Sequence, residues 1–142
     1  MTACRWPLLA LLVLAVAAPA HASTVLMFRT PSGNIGCVFA TGLTAAGAAS
    51  VRCDVRSKLY RAPRRPASCD LDYGDSFEVG RTGRARPVCH GDTAIDPRSR
   101  VLAYGHTWQR SGLTCTSRTN GVTCSNRFGH GFFLSRQRWR VF

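Results

Sequence analysis

Six cysteines, Cys37, Cys53, Cys69, Cys89, Cys115 and Cys124, constrain this chain more than any other feature. The sequence holds seven cysteines, but Cys4 lies in an N-terminal segment that reads as a secretory signal peptide. Arg5 supplies its positive flank, Leu8 to Ala18 its apolar run, and Ala20-His21-Ala22 the small residues a signal peptidase accepts. The expected boundaries are therefore residues 1–22 for the signal peptide and 23–142 for a single exported β-rich domain of about 120 residues. The apolar run is too short for a transmembrane anchor. An even number of cysteines in an exported chain implies disulfides. Six thiols allow 15 pairings; the favoured set joins sequence neighbours, Cys37 with Cys53, Cys69 with Cys89, and Cys115 with Cys124, each stapling a local hairpin or loop. Zinc is disfavoured, because the chain has no C-x-x-C pair and oxidised sulfur does not bind metal as thiolate. No metal and no cofactor is expected.

Short apolar stretches alternate with polar residues and are broken by glycine, proline and serine, the pattern of antiparallel β-structure. Val51, Cys53 and Val55 share one face of a strand, with Arg52, Asp54 and Arg56 on the other. Ile35, Cys37 and Phe39 alternate in the same way after the turn signal Pro31-Ser32-Gly33-Asn34. Further strands are expected at Val25 to Phe28, Ser76 to Val79, Val101 to Tyr104, Leu113 to Ser117, Val122 to Ser125 and Gly131 to Leu134. No stretch carries helical spacing over three turns. Asn120-Gly121 marks a hairpin. A four-residue turn from Arg118 to Gly121 sets Cys115 opposite Cys124, whereas a two-residue loop at Asn120-Gly121 sets Ser117 there. The expected fold is mainly β: a small antiparallel, disulfide-stapled sandwich or partly open barrel, and a monomer.

The formal net charge is +12, and nearly all the cations are arginines, Lys58 being the only lysine. Such a surface favours anionic partners, among them an envelope polymer, nucleic acid or an acidic protein, and disfavours basic ones. The C-terminal stretch contributes the sharpest binding signal: if extended, it sets Arg136, Arg138 and Arg140 on one face at a pitch of roughly 6.7 Å. The same arginines also suit the solvated edge of a sheet, where charge blocks aggregation.

Three histidines outside the leader, His90, His106 and His130, each adjoin a glycine. A small secreted hydrolase of ribonuclease type would use two of them as acid and base, with Asp92 orienting one ring. Alternatively they hydrogen-bond to backbone in tight turns. No G-x-S-x-G elbow is present, and cysteine catalysis fails if every thiol is oxidised. The acids Asp70, Asp72, Asp75 and Glu78 read as ion-pair partners for nearby arginines.

The ordered motifs Pro31-Ser32-Gly33-Asn34-Ile35-Gly36-Cys37, Val51-Arg52-Cys53-Asp54, Cys89-His90-Gly91-Asp92-Thr93, Leu102-Ala103-Tyr104-Gly105, Gly121-Val122-Thr123-Cys124-Ser125-Asn126 and Gly129-His130-Gly131-Phe132 to Arg136 resemble a family of small exported six-cysteine actinobacterial proteins, a domain of unknown function. The resemblance implies a secreted single domain with paired cysteines and transfers no catalytic residue. The expectation is a secreted or cell-envelope-associated binding module, with the small hydrolase as the alternative.

Overall fold

The computed structural model describes residues 22–42 and 48–142. The expected signal peptide falls outside the described residues but for Ala22, and so does part of the small-residue loop before β3. Eleven strands form in chain order: β1 (Thr24–Arg29), β2 (Ile35–Thr41), β3 (Ser50–Val55), β4 (Ser76–Gly80), β5 (Arg86–Pro87), β6 (Arg100–Val101), β7 (Thr107–Arg110), β8 (Leu113–Arg118), β9 (Gly121–Asn126), β10 (Gly131–Leu134) and β11 (Trp139–Val141). They make two sheets, one of six strands in the order β5-β4-β3-β2-β1-β6 and one of five in the order β11-β10-β9-β8-β7. All pairings are antiparallel except β1 with β6. The sheets stack as a sandwich and do not close into a barrel, and no helix forms among the described residues.

Period-two patterning puts one face of each strand inside. In β9 the residues Val122, Cys124 and Asn126 are buried and their neighbours are half-buried; β8 buries Leu113, Cys115 and Ser117. From the six-stranded sheet, Phe39, Val51, Phe77 and Val79 meet them with no exposed surface. Aromatic rings join the layers. Phe77 lies 6.3 Å from Phe132 and 5.3 Å from Trp139, while Trp108 sits 5.3 Å from Phe28 and 5.2 Å from Phe39. Burying a side chain of this size stabilises by roughly 1.5–3 kcal/mol.

Every cysteine among the described residues is bonded to its neighbour in sequence. Cys37–Cys53 crosslinks β2 to β3, Cys115–Cys124 crosslinks β8 to β9, and Cys69–Cys89 ties two irregular segments. The first two are directly opposed residues in their ladders. They face each other across the core, with Cys53 Sγ and Cys124 Sγ 3.6 Å apart. The group of sulfurs at Cys37, Cys53 and Cys124 is thus a pair of stacked disulfides rather than a thiolate site.

One open alternative is decided and two expectations are corrected. The β8–β9 turn spans Arg118 to Gly121, pairing those two residues, so Thr119 and Asn120 form its tip and Cys115 faces Cys124. Of these turn residues only Gly121 has positive φ, at 145°, and a Cβ there would lie 2.6 Å from the Leu134 carbonyl oxygen. The strand expected at Val101 to Tyr104 is reduced to Arg100–Val101, and the strand that follows is Thr107–Arg110. Its hairpin to β8 turns at Ser111-Gly112, both with positive φ (52° and 78°), as a primed hairpin turn requires. Finally, the C-terminal stretch is not one extended ladder. Ser135 and Arg138 close a turn through a 2.9 Å backbone bond, and only Trp139–Val141 is strand.

Candidate functional site

The charged residues separate into two arrangements. The first lies on the outer face of the six-stranded sheet. Arg52, on β3, donates to both carboxylate oxygens of Asp54 at 2.9 and 2.8 Å, to Ser76 Oγ at 2.8 Å and to Asp92 Oδ1 at 2.8 Å. Asp54 is buried although it points away from the core, because the irregular strap after Val88 crosses over it and the Ala94 amide donates to its carboxylate at 2.7 Å. Gly36 lets the strap approach: a Cβ there would lie 2.6 Å from the Ala94 carbonyl oxygen.

His90 belongs to the same network. Its ring contacts the Asp92 carbonyl at 2.6 Å through Nδ1 and the Asp75 carboxylate at 3.1 Å through Nε2. Burial alone would depress the imidazole, but the Asp92 carbonyl and the Asp75 and Asp54 carboxylates outweigh it, holding His90 above the usual histidine range. The Asp92 carboxyl is pushed below its ordinary value chiefly by the Arg52 hydrogen bond. Backbone bonds between Asp72 and His90 and the Cys69–Cys89 disulfide complete the fastening. The buried acid, its guanidinium and the imidazole are therefore joined in one hydrogen-bonded network.

The histidines do not share a site. His106 is exposed, and its carbonyl accepts from the Ser117 amide, at one end of the five-stranded sheet. His130 is half-buried and its carbonyl accepts from the Asn126 amide. Since Asn126 pairs with Leu113 while Ser117 pairs with Val122, the backbones of the two histidines are fastened at opposite ends of β8 and β9, roughly 13 Å apart along the strands. His90 lies in the irregular segment packed against the six-stranded sheet. The three histidines are thus held in separate parts of the fold.

The second arrangement is the five-stranded sheet, residues 107–142, which carries six arginines and no acidic residue. Its outer face presents a register row of Thr107, Thr116, Thr123, Phe133 and Arg140 across all five strands. Thr107 and Thr116 share a 3.0 Å hydroxyl contact. Arg138 stacks over Phe133 at 5.0 Å and Arg140 over Phe142 at 5.1 Å. Such stacking orients a guanidinium yet leaves its N–H groups open to an anion. Arg118 lies at the end of β8 on this same face, and Arg136 at the tip of the β10–β11 turn. Neither of these two side chains has a hydrogen-bond, ion-pair or ring partner among the described residues. Of the three arginines expected to form a ladder, then, Arg138 and Arg140 share a face and Arg136 stands apart at the turn. Nothing in the sequence marks Arg118, because only the sheet register brings it to this face.

Among comparisons with known proteins, a family model described as "Family of unknown function (DUF6636)" matches residues 7–142. No curated protein matches. No solved structure matches either.

Proposed function

The chain belongs to that family of unknown function, and we propose that it is an extracytoplasmic binding module for anionic polymers of the cell envelope, engaged through the five-stranded sheet. Three disulfides suit an oxidising compartment. The observation that carries the reading is the set of arginines on an acid-free sheet, free of ion pairs among the described residues, beside a row of threonine hydroxyls. Repulsion among uncompensated cations raises the energy of the free protein, and a polyanion relieves it while its released counterions add entropy. Hydroxyls between the strands supply short-range donors and acceptors for a hydroxylated chain.

The test is retention of the disulfide-intact protein on immobilised polyphosphate or heparin. Retention at low salt that falls steeply as salt rises is expected. Passage unretained at low salt would contradict the proposal.

A further inference from the structure

At one end of the sandwich the β1–β2 turn, the segment after β3, the loop before β7, the β8–β9 turn and the β10–β11 turn surround a cleft of about 420 Å³. Its volume falls in the usual range for small-ligand sites. Its walls include Ser32, Tyr104, Arg118, Thr119, Arg136 and Gln137, and no acidic residue lines it.

The backbone around this cleft is fixed before any ligand arrives. Asn34 Nδ2 donates to the Ser57 carbonyl at 3.1 Å and its Oδ1 accepts from the Ser57 amide at 3.0 Å, tying two walls together. Ser135 Oγ accepts from the Gln137 and Arg138 amides and donates to the Arg138 carbonyl. The Leu59 amide donates to the Arg136 carbonyl at 2.7 Å, and the Gly105 amide to the Ser117 carbonyl at 2.7 Å. Against this fastened frame, the guanidinium groups of Arg118 and Arg136, the Tyr104 hydroxyl, the Gln137 side-chain amide and the Thr119 hydroxyl have no hydrogen-bond partner among the described residues.

We infer that this cleft binds one phosphate-bearing sugar or polyol unit, with Arg118 and Arg136 taking the phosphate and the hydroxyl and amide groups taking the polyol. The inference rests on the polyanion reading and specifies where a single repeating unit is recognised. Two guanidinium groups suit the spread charge of a phosphate oxyanion, which accepts several N–H bonds at once. Hydroxyl and amide groups both donate and accept, matching the mixed demands of a polyol. A nucleobase calls for aromatic platforms, and among the described residues Tyr104 is the one aromatic side chain lining the cleft. That favours the sugar or polyol over a nucleotide.

The inference is tested by following backbone amide resonances of the disulfide-intact protein during separate titrations with glucose 6-phosphate, glucose, inorganic phosphate and adenosine monophosphate. Glucose 6-phosphate is expected to give saturable shifts confined to residues 32–34, 104–105, 118–121 and 135–137, and to bind more tightly than the other three. Arg118→Gln and Arg136→Gln should each weaken it roughly tenfold or more, as expected on loss of a charged hydrogen bond, with spectra that stay dispersed. Four results would overturn the assignment: no saturable shift at these residues, equal affinity for inorganic phosphate (an adventitious ion only), tighter binding of the nucleotide, or unchanged affinity in both variants. Retention of the unmodified protein on polyphosphate, measured in parallel, separates the two claims. If retention persists while the titration is silent, only the cleft assignment falls; if retention is also lost, the polymer-binding reading falls with it.

Discussion

The two sheets differ in where carboxylates meet their cations. All seven acidic residues lie between Asp54 and Asp96, within or beside the six-stranded sheet, and every ion pair among the described residues is there. In that half Arg52, Arg86 and Arg98 meet carboxylates, and Arg52 joins β3 to Ser76 on β4 and to the strap over it, while Arg56, Arg81 and Arg84 have no side-chain partner among the described residues. The five-stranded sheet holds six arginines and no acid, and its guanidinium groups rest on phenyl rings or have no partner among the described residues. The same residue type is thus structural where a carboxylate faces it and available where none does. Composition alone, a net charge of +12, hides this division.

Breaking the fastening should cost most. Arg52→Leu leaves Asp54 buried, its side chain 3% exposed, without its cation, and should destabilise by about 3–5 kcal/mol. A denaturant midpoint close to that of the parent protein would show that the network is not structural. Next comes Cys37→Ala with Cys53→Ala. Opening a loop between cysteines 16 residues apart should cost about 3 kcal/mol by the chain-entropy estimate, read as a lower melting temperature.

His90 supplies a pH test of the same region. Its folded pKa lies above the ordinary 6.5, so its contribution is fully present below that value and is lost as pH rises through the folded pKa. Thermal scans should show stability falling above pH 6.5 for the parent protein, and a flatter profile in that window for His90→Gln. Identical profiles would remove His90 from the network.

Smallest in stability, and sharpest for the comparison, is the triple replacement of Arg118, Arg138 and Arg140 by glutamine. It should shift unfolding free energy by no more than about 0.5 kcal/mol for each site, yet lower the salt needed to elute the protein from polyphosphate. A large loss of stability would place these arginines among the fastenings and erase the distinction between sheets.

Much of the fold is legible in the sequence because alternation and local pairing carry it. Leu113 to Ser117 and Val122 to Ser125 alternate cleanly, and the four-residue turn between them gives the register that opposes Cys115 and Cys124. Thr107–Arg110 escapes because an edge strand shows only the half-buried Trp108 among exposed neighbours, although Ser111-Gly112 is a turn signal that could reveal it. The C-terminal ladder fails because Ser135 caps a turn with its hydroxyl, a local competition that an alternating arginine pattern does not display. The site is less legible. Asp92 suits an orienting acid by its place beside His90, yet its carboxylate pairs with Arg52 instead. Arg118 and Tyr104 lie 14 residues apart in sequence, and the backbone bonds of Ser117 with Gly105 and His106 draw their segments together.

Which arginines would meet the proposed polyanion is the central question, and the slope of binding affinity against salt concentration measures it directly. Replacing Arg118, Arg138 and Arg140 with glutamine should flatten that slope, since each arginine withdrawn from a phosphate takes away about one unit of counterion release. Replacing Arg56, Arg81 and Arg84, an equal charge on the six-stranded half, should leave the slope nearly unchanged. Equal flattening by both sets would contradict the division between the sheets, because binding would then follow net charge alone.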